Sequence, residues 1–578
     1  MKKRKRILLF YLLLTISFSS CSLLGIHIKV HNPKKAGKEP KFNQETILLG
    51  ELTPVRESFD VVFYGLDIQL HPEEKTLGGW VEIRAKALVD IDSIQIDLEK
   101  SLRINEIRFG SREGATLKYT RIFRAVYLKM DHQIKKGQTF SVHVNYDGKP
   151  IIARKPPWAG GLVWKKDKEK NAWAGVACES EGASIWFPCK DHTSDEPDSS
   201  LMRFSIAEKN LMVISNGVLQ AIDENATYKS FTWKVNNPIN TYNITFYLGN
   251  FERIDDSYTG LKGQTLSINH YVLKPNVSKA KEHFKQVKNH LLVYEQLYGE
   301  FPWYDDGLKL VESPYSGKEH QSGIAYGNGF KNDLYGKEDY IMLHETGHEW
   351  FGNAISVADL ADVWLQEGVT TYGEVLYLEK EYGSNLAYNH LLFYRWTIKN
   401  KRPVVGPSGR RYFDYHDGDV YVKGAWTLHT LRNQIANDSI FLKIMQTFYD
   451  DYKYKTTSTA QFIQTVNSVT NKNYNWLFNQ YLFERKAPVF EYYISKDGYL
   501  YYRWMNTAVD FNKIKVPFTI ENDATLYDVF PSSKVQRYKL KEGTNFTSEV
   551  AVDNSSALFG KSKNRKLLQK YEATDRSK

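Results

Sequence analysis

The stretch HETGHEWFGN covers residues 344 to 353 and places two histidines four residues apart around a glutamate. Positions i and i+4 of an α-helix lie on the same face, so the imidazoles of His344 and His348 can reach one metal ion. Glu345 then lies beside that ion, where a carboxylate can hold a water molecule. The alternative is a helix with two surface histidines and an ion-paired glutamate.

A second helix is predicted to follow and to supply a third ligand. The dipeptide GN at the end of the quoted stretch is typical of a helix end, and VWLQEGVTTYGEVLYLEKEYG, which comes soon after, has helical periodicity. Two helices joined by a short loop pack antiparallel. Glu367 lies early in the second helix, with 18 residues between it and His348. The spacing therefore favours a zinc site that combines Glu367 with the two histidines.

Length and composition predict a multidomain globular protein of the α+β class. The 578 residues, 42% of them hydrophobic, exceed what one core usually supports. Short alternating runs over 56–255 predict an N-terminal antiparallel β-domain, and alternation over 488–560 predicts a small C-terminal β-domain. Residues 256–487 are predicted to be α-rich, with GLKLVESPY at 307–315 as an edge strand, and 561–578 to be a tail. The helical patterns after the edge strand cover roughly 338–352, 363–382, 385–401, 421–436, 439–451 and 458–485.

The N-terminal residues predict export. A basic block from Lys2 to Arg6 precedes an apolar run to Phe18 and small residues before Cys21, as in a secretory signal peptide over 1–20. The apolar run is shorter than the roughly 17 to 25 residues that a membrane span needs. The cysteine resembles the acylated residue of a bacterial lipoprotein, which predicts a lipid anchor to a cell-envelope membrane. A plain cleaved export signal is the alternative.

The formal charge of +10 arises mostly from the same region. Removing residues 1–20, with five Lys/Arg and no Asp/Glu, leaves +5. The basic segment 21–55 is expected to be a solvated tether near an anionic membrane surface, and no basic stripe with stacked aromatics predicts a nucleic-acid partner. Cys178 and Cys189 fit either a disulfide in an exported protein or two buried thiols, because spacing alone does not place their Cβ atoms.

Taken together, these motifs resemble the gluzincin aminopeptidase family, which includes aminopeptidase N and the leukotriene hydrolases. The motif HETGH, separated from Glu367 by 18 residues, carries the likeness, which extends over about residues 56–560. The resemblance implies a thermolysin-like catalytic domain, one zinc ion bound by the two histidines and Glu367, and removal of the N-terminal residue from peptides. It also implies that Glu345 is the general base.

Three further stretches match family motifs in order and position. SGKEHQSGIAYGN at 316–328 resembles the family's Gly-x-Met-Glu-Asn segment, which implies that Glu319 binds the free amino terminus of the substrate. CESEGASIWFPCKDHTSDEPD at 178–198 is similar to the stretch that ends in the FPC-x-DEP signature, with Glu179 as the second amine anchor. YVKGAWTLHTLR resembles the family's Tyr-x-Lys-Gly-Ala helix, which implies that the hydroxyl of Tyr421 stabilises the oxyanion.

The sequence also departs from the family pattern. Lys318 replaces the usual methionine, His320 the asparagine after the glutamate, and Gln366 the asparagine before the ligand glutamate. The residues after Arg485 are too few for the large helical domain that many relatives carry. Tyr315 is a candidate for the pocket that receives the N-terminal side chain, with core packing as the alternative.

Three functions fit these residues. The favoured one is a zinc-dependent aminopeptidase acting on peptides with a free N-terminus. Epoxide hydrolysis, which one branch of the family performs, would use the same zinc site. A catalytically inactive surface binding protein on the same scaffold is the third, but the predicted ligands, base and tyrosine are all present.

Overall fold

The computed structural model describes residues 41–411, 418–508, 511–521, 523–542, 544 and 549–575. The predicted signal peptide over 1–20, Cys21 and the first part of the predicted tether lie outside these residues. The described residues form two compact units, one ending at Phe483 and the other beginning at Glu484. No helix among the described residues combines the length and apolar content needed to cross a membrane.

The N-terminal part of the first unit is rich in β-strands, as predicted. Its strands are β1 Phe59–His71, β2 Thr76–Ala87, β3 Ile91–Asp97, β4 Leu102–Phe109, β5 Lys118–Ile122, β6 Ala125–Ile134, β7 Thr139–Gly148, β8 Gly161–Lys166, β9 Ala172–Ala177, β10 Ser199–Ile206, β11 Met212–Ser215, β12 Val218–Glu224, β13 Lys229–Val235 and β14 Phe246–Gly249. They form sheets in the orders β12-β13-β10-β1-β2-β7-β4, β11-β14-β9-β8 and β3-β6-β5. Much of β1 alternates between buried and more exposed residues, because successive side chains of a strand point to opposite faces.

The prediction of a wholly antiparallel domain is wrong at one pair. β1 runs parallel to β10, from Phe63 beside Ser199 to Gln69 beside Ser205, whereas the other pairs of the largest sheet are antiparallel. A parallel pair needs a long crossover connection. Local alternation carries no signal for pairing between segments so far apart in the chain.

The folded unit also begins earlier than expected. Helices α1 Gln44–Gly50 and α2 Pro54–Glu57 lie in the segment predicted to be a tether, and the side chain of Asn43 caps α1. Arg56 is fully buried, and its Nη2 donates to both carboxylate oxygens of Asp97, at 2.8 and 2.7 Å. This ion pair joins α2 to the end of strand β3, so the segment from Asn43 onwards belongs to the β-rich part.

The central part is α-rich, as predicted. Its helices are α3 Val277–His283, α4 Gln286–Tyr298, α5 Tyr340–Gly347, α6 Trp364–Tyr382, α7 Ser384–Thr397, α8 Asp419–Ile435, α9 Asp438–Tyr452, α10 Thr459–Thr470 and α11 Asn475–Phe478. Its strands are β15 Phe251–Thr259, β16 Thr265–Leu273, β17 Leu310–Glu312, β18 Gly317–Lys318, β19 Ile324–Tyr326, β20 Ile355–Val357 and β21 Lys455–Thr457. The first unit as a whole also contains single 3₁₀ turns at Ala183–Ile185, Thr241–Asn243, Lys274–Asn276 and Leu360–Asp362, and a π-helix at Asn479–Phe483.

The prediction that 307–315 forms an edge strand is wrong. The sheet order is β15-β16-β17-β19-β18, so β17 has a neighbour on each side. All three residues of β17 are buried, which suits an interior strand. The edge position belongs instead to β18, which pairs only with β19 in this order.

The long helical pattern at 458–485 is divided in the structure. It becomes α10, α11 and the π-helix. Asn471 ends α10 in the left-handed conformation, with φ of 51°. Asparagine tolerates this conformation better than most residues. A single residue therefore ends the helix, although the apolar spacing of the segment continues past it.

Two glycines allow helices α6 and α8 to lie close together. A Cβ placed on Gly368 would be 2.9 Å from the Cα of Gly424, closer than a side-chain carbon can approach. Gly368 directly follows Glu367, and Gly424 lies within the Lys-Gly-Ala sequence after Tyr421. The close approach therefore sets the distance between the two residues proposed for the site.

The second unit is a small β-domain, as predicted. Its elements are β22 Val489–Ile494, β23 Tyr499–Met505, β24 Val516–Ile520, β25 Asp523–Val529, β26 Gln536–Lys539, β27 Val550–Val552, β28 Gly560–Lys563 and helix α12 Lys566–Asp575. The sheet orders are β26-β23-β22-β28 and β25-β24-β27. The described part of the expected tail is instead structured, because β28 pairs with β22 and the ring of Tyr571 in α12 lies 5.2 Å from that of Tyr501.

Cys178 and Cys189 are both buried free thiols. Burial raises the pKa of each thiol well above its usual value. Of the two alternatives that the sequence left open, the structure has the buried thiols.

We expect Arg56→Met to lower the free energy of unfolding by about 3–5 kcal/mol, because it leaves the Asp97 carboxylate buried without its charged partner. Urea denaturation of the whole chain measures the loss. Arg103→Met is the matched control, since Arg103 pairs with Asp147 at the surface and should cost at most about 1 kcal/mol. Equal losses from the two variants would contradict the structural role of the buried pair.

Candidate metal centre

Helix α5 brings the two histidines of HETGH to one point. His344 and His348 have their Nε2 atoms 3.1 Å apart. Each Nδ1 faces an acceptor on the other side: Glu374 Oε1 lies 2.6 Å from His344 Nδ1, and the Phe351 carbonyl oxygen 2.9 Å from His348 Nδ1. When Nδ1 carries the proton and donates it to these acceptors, the lone pair of each Nε2 points into the shared space.

Glu367 in the first turn of α6 completes the predicted triad. Its Oε2 lies 3.3 Å from His348 Nε2 and 3.7 Å from His344 Nε2. A tetrahedral zinc site with bonds of about 2.0–2.1 Å has donor atoms about 3.3 Å apart. The structure thus brings the two histidines and this glutamate together at the spacing of ligands around one ion.

The chemistry of these donors fits zinc. Glu367 Oε2 is buried and lacks a well-formed hydrogen bond, which a buried carboxylate oxygen rarely does. Burial alone would raise the pKa of Glu367, but the imidazoles of His348 and His344 hold it well below its usual range. Two imidazole nitrogens and one carboxylate oxygen are a common donor set for zinc with an open fourth position.

Glu374 contacts the outer nitrogen of His344, and no sequence motif pointed to this residue. Its carboxylate accepts from the Tyr394 hydroxyl and lies 3.3 Å from His390 Nε2, in addition to its contact with His344. Burial opposes ionisation, but the two histidines lower the pKa of Glu374 to about 2. A carboxylate that holds the outer nitrogen of a ligand histidine fixes the orientation of the ring. Glu374 follows Glu367 by seven residues, two helical turns, and this spacing could have revealed it.

Glu345 offers a carboxylate oxygen within 4.8 Å of a His348 nitrogen and lies against the edge strand β18. Burial raises the pKa of Glu345 to about 7. A Cβ placed on Gly317 would be 2.5 Å from Glu345 Oε1, so only a glycine leaves room for the carboxylate there. A buried carboxyl group with a pKa near neutrality can accept and return a proton under ordinary conditions.

Tyr421 on α8 reaches the same centre. Its hydroxyl donates to Glu367 Oε1 at 2.8 Å, and burial raises the pKa of Tyr421 well above its usual value, with the Glu367 carboxylate adding to the shift. The tyrosine therefore remains a neutral hydrogen-bond donor next to the third ligand.

The two predicted amine anchors also meet, but with a lysine between them. Lys318 Nζ lies 2.8 Å from Glu319 Oε2 and in direct contact with Glu179 Oε2. Tyr242, which the sequence argument did not single out, donates to Glu319 Oε1 at 3.2 Å. Atoms offered by Glu319, Glu345 and His348 lie within 4.8 Å of one another, so Glu319 borders the metal centre.

Tyr315 lies in the hydrophobic core. It is buried, and its hydroxyl donates to the Val176 carbonyl at 2.5 Å. Core packing accounts for this position, and a role in a side-chain pocket stays a prediction. His320, the other departure beside Glu319, has its Nδ1 2.7 Å from the Tyr247 hydroxyl.

The chain has recognisable relatives in sequence. Residues 335–481 match the Peptidase family M1 domain. Over 345 residues the chain is 22% identical to a protein described as probable aminopeptidase 2 of Sulfurisphaera tokodaii, covering 55% of this chain and 42% of that protein. Over 440 residues it is 22% identical to leucine aminopeptidase 2-2 of Meyerozyma guilliermondii, covering 71% of this chain and 66% of that protein. The chain thus spans less than two thirds of the length of these relatives.

Solved structures share the fold. An M1 zinc metallopeptidase mutant from Deinococcus radiodurans bound to a Tyr-Ser-Ala substrate aligns with a TM-score of 0.61 and 20% identity, over 74% of this chain and 95% of that chain. The family match includes the two helices that carry the triad. Over residues 335–481 the chain is thus similar to peptidase family M1, in agreement with the gluzincin aminopeptidase family that its motifs resemble.

Proposed function

We propose that this protein is a zinc-dependent aminopeptidase that removes the N-terminal residue from peptides. The observation that carries the proposal is the convergence of three buried donor atoms, 3.1 to 3.7 Å apart, beside a glutamate and a tyrosine hydroxyl. The names of the relatives, aminopeptidases from an archaeon and a yeast, support the same activity.

We further propose that the domain is thermolysin-like and binds one zinc ion, through His344, His348 and Glu367. The helix pair α5 and α6 and the edge strand β18 beside Glu345 support the first point. For the second, the other group of potential ligands, formed by Glu319, Glu345 and His348, shares His348 with the triad. One histidine nitrogen serves one ion, which favours a single site.

Each side chain has a distinct proposed role. Bound zinc would supply Lewis-acid activation of water and of the scissile carbonyl. Glu345 accepts the proton of the attacking water and passes it to the leaving nitrogen. The Tyr421 hydroxyl donates a hydrogen bond to the oxyanion that develops on the carbonyl oxygen. Glu179 and Glu319 face the α-nitrogen of the substrate, one residue's length from the bond that is cleaved.

The two alternatives draw no specific support. Epoxide hydrolysis would use the same groups, and nothing in the described residues points to an epoxide. A catalytically inactive binding protein would not need a base, a ligand triad and a hydroxyl donor to remain together.

We also propose export to a bacterial cell envelope with lipid anchoring at Cys21. The support is the N-terminal sequence alone: a basic block, a short apolar run and a cysteine after small residues.

The function is tested by measuring hydrolysis of a panel of aminoacyl fluorogenic substrates with and without a zinc chelator. We expect chelation to abolish hydrolysis and added zinc to restore it. Glu345→Gln should lower kcat by about 10²–10⁴-fold while zinc content, measured by atomic emission, stays at the wild-type level. Chelator-resistant hydrolysis, or full activity in Glu345→Gln, would overturn the mechanism.

We expect Gly317→Ala to reduce kcat by about tenfold or more, because the new methyl group displaces the Glu345 carboxylate. Steady-state kinetics and zinc content measure the effect, and zinc binding should be unchanged. Gly323→Ala is the matched control, since a Cβ there meets its nearest atom at 3.7 Å. If both variants keep wild-type kcat, the edge strand does not constrain Glu345.

We expect Cys21→Ser to move the protein from the membrane fraction to the soluble fraction and to abolish labelling by an alkyne fatty acid. The cause is loss of the thiol that would be acylated. Ser22→Ala serves as the control and should remain labelled. Unchanged labelling of Cys21→Ser would refute lipid anchoring at this residue.

A further inference from the structure

A buried lysine lies between the two carboxylates that the proposed function assigns to the substrate amine. Lys318, Glu179 and Glu319 are each less than a tenth exposed. The ammonium group is 2.8 Å from Glu319 Oε2 and contacts Glu179 Oε2 directly. A primary ammonium ion already occupies the position that a substrate ammonium would need.

The lysine is held there by the backbone as well as by charge. Lys318 belongs to edge strand β18 and pairs with Ala325 of β19, so its Cα is fixed by the sheet. Its neighbour Glu319 is oriented by the hydroxyl of Tyr242. The ammonium is therefore part of a built cluster and not the end of a loose surface side chain.

Burial and charge act in opposite directions on the groups of this cluster. Burial alone would lower the pKa of Lys318, but the carboxylates of Glu179 and Glu319 raise it well above its usual value. Burial raises the pKa of Glu179 to about 7, although the ammonium of Lys318 opposes this shift. The lysine thus satisfies charges that would otherwise require an ammonium from outside.

We propose that Lys318 is an internal occupant of the amine anchor, so that this protein discriminates weakly between free and blocked N-termini. The inference rests on the proposed aminopeptidase function. A free α-ammonium must displace the lysine or bind beside a like charge. A blocked N-terminus leaves Glu179 and Glu319 paired with Lys318, which avoids the desolvated, unpaired carboxylates that would otherwise exclude it.

The substrate class that follows is wider than for an anchor of two carboxylates alone. It includes peptides whose N-terminal nitrogen carries a small acyl group and bears no charge. The same cluster explains the departure at position 318: methionine would leave both carboxylates open to the substrate, whereas lysine closes them internally.

The first test compares Tyr-Ser-Ala with its N-formyl derivative on the zinc-loaded whole chain. We expect the ratio of kcat/KM, free over formylated, to lie within about tenfold for the wild type. Lys318→Met should raise this ratio at least tenfold, mainly through a lower KM for the free amine, and Lys318→Arg should keep the wild-type ratio. An unchanged or lower ratio in Lys318→Met overturns the proposal.

Lys165→Met is the matched control. The Lys165 ammonium donates to the Pro314 carbonyl at 2.7 Å, so this variant removes a hydrogen-bonded but exposed lysine outside the acidic pair. Its substrate ratio should equal that of the wild type. A shift as large as that of Lys318→Met would assign the effect to general destabilisation and refute the specific role.

A binding measurement separates this proposal from the proposed function and needs no variant that might misfold. Calorimetry with L-tryptophan and N-formyl-L-tryptophan on the zinc-loaded wild type should give dissociation constants within about tenfold of each other. A preference above 100-fold for the free amine overturns the role of Lys318. A chain that binds zinc and both ligands but hydrolyses no peptide refutes the aminopeptidase function while leaving the role of Lys318 supported.

Discussion

The centre of this protein depends on one constraint: three donor atoms from two helices must lie within about 4 Å of one another in a buried space. The helical repeat brings the donor atoms of His344 and His348 together. The carboxylate of Glu367 reaches these two atoms only because α6 packs close to α5. Without that packing, the carboxylate would be an ordinary buried acid with a raised pKa; next to the imidazoles its pKa falls well below the usual range.

Close contacts between side chains and helices also surround the three donor atoms. Glu374 holds the outer nitrogen of His344, and its own charge is stabilised by His390 and Tyr394. On the next face, the contact between Gly368 and Gly424 lets α8 approach α6, which places the Tyr421 hydroxyl on Glu367. Helix packing therefore positions Glu367, the contact of Glu374 with His344, and the Tyr421 hydroxyl. Side chains that are held on packed helices keep a more rigid geometry than side chains on loops.

Likeness to a family does not by itself determine what this site accepts. The triad, Glu345 and Tyr421 follow the family pattern, while Lys318 introduces a positive charge where the pattern has a thioether. Function depends on such groups and not on the fold that carries them. The ion pairs of Lys318 are buried, so its positive charge interacts strongly with the ammonium group of a substrate.

The sequence by itself indicated the order of the β-rich and α-rich parts and the shared helical face of His344 and His348, because each depends on local periodicity or on fixed spacing within one helix. The position of Glu367 beside the two histidines depends on the packing of α6 against α5. Tertiary structure alone decided the parallel pairing of β1 with β10, the interior position of β17, the thiol state of Cys178 and Cys189, and the support from Glu374. It also placed Lys318 between Glu179 and Glu319. These features join residues far apart in the chain, and residue spacing contains no information on which distant side chains meet when the core closes.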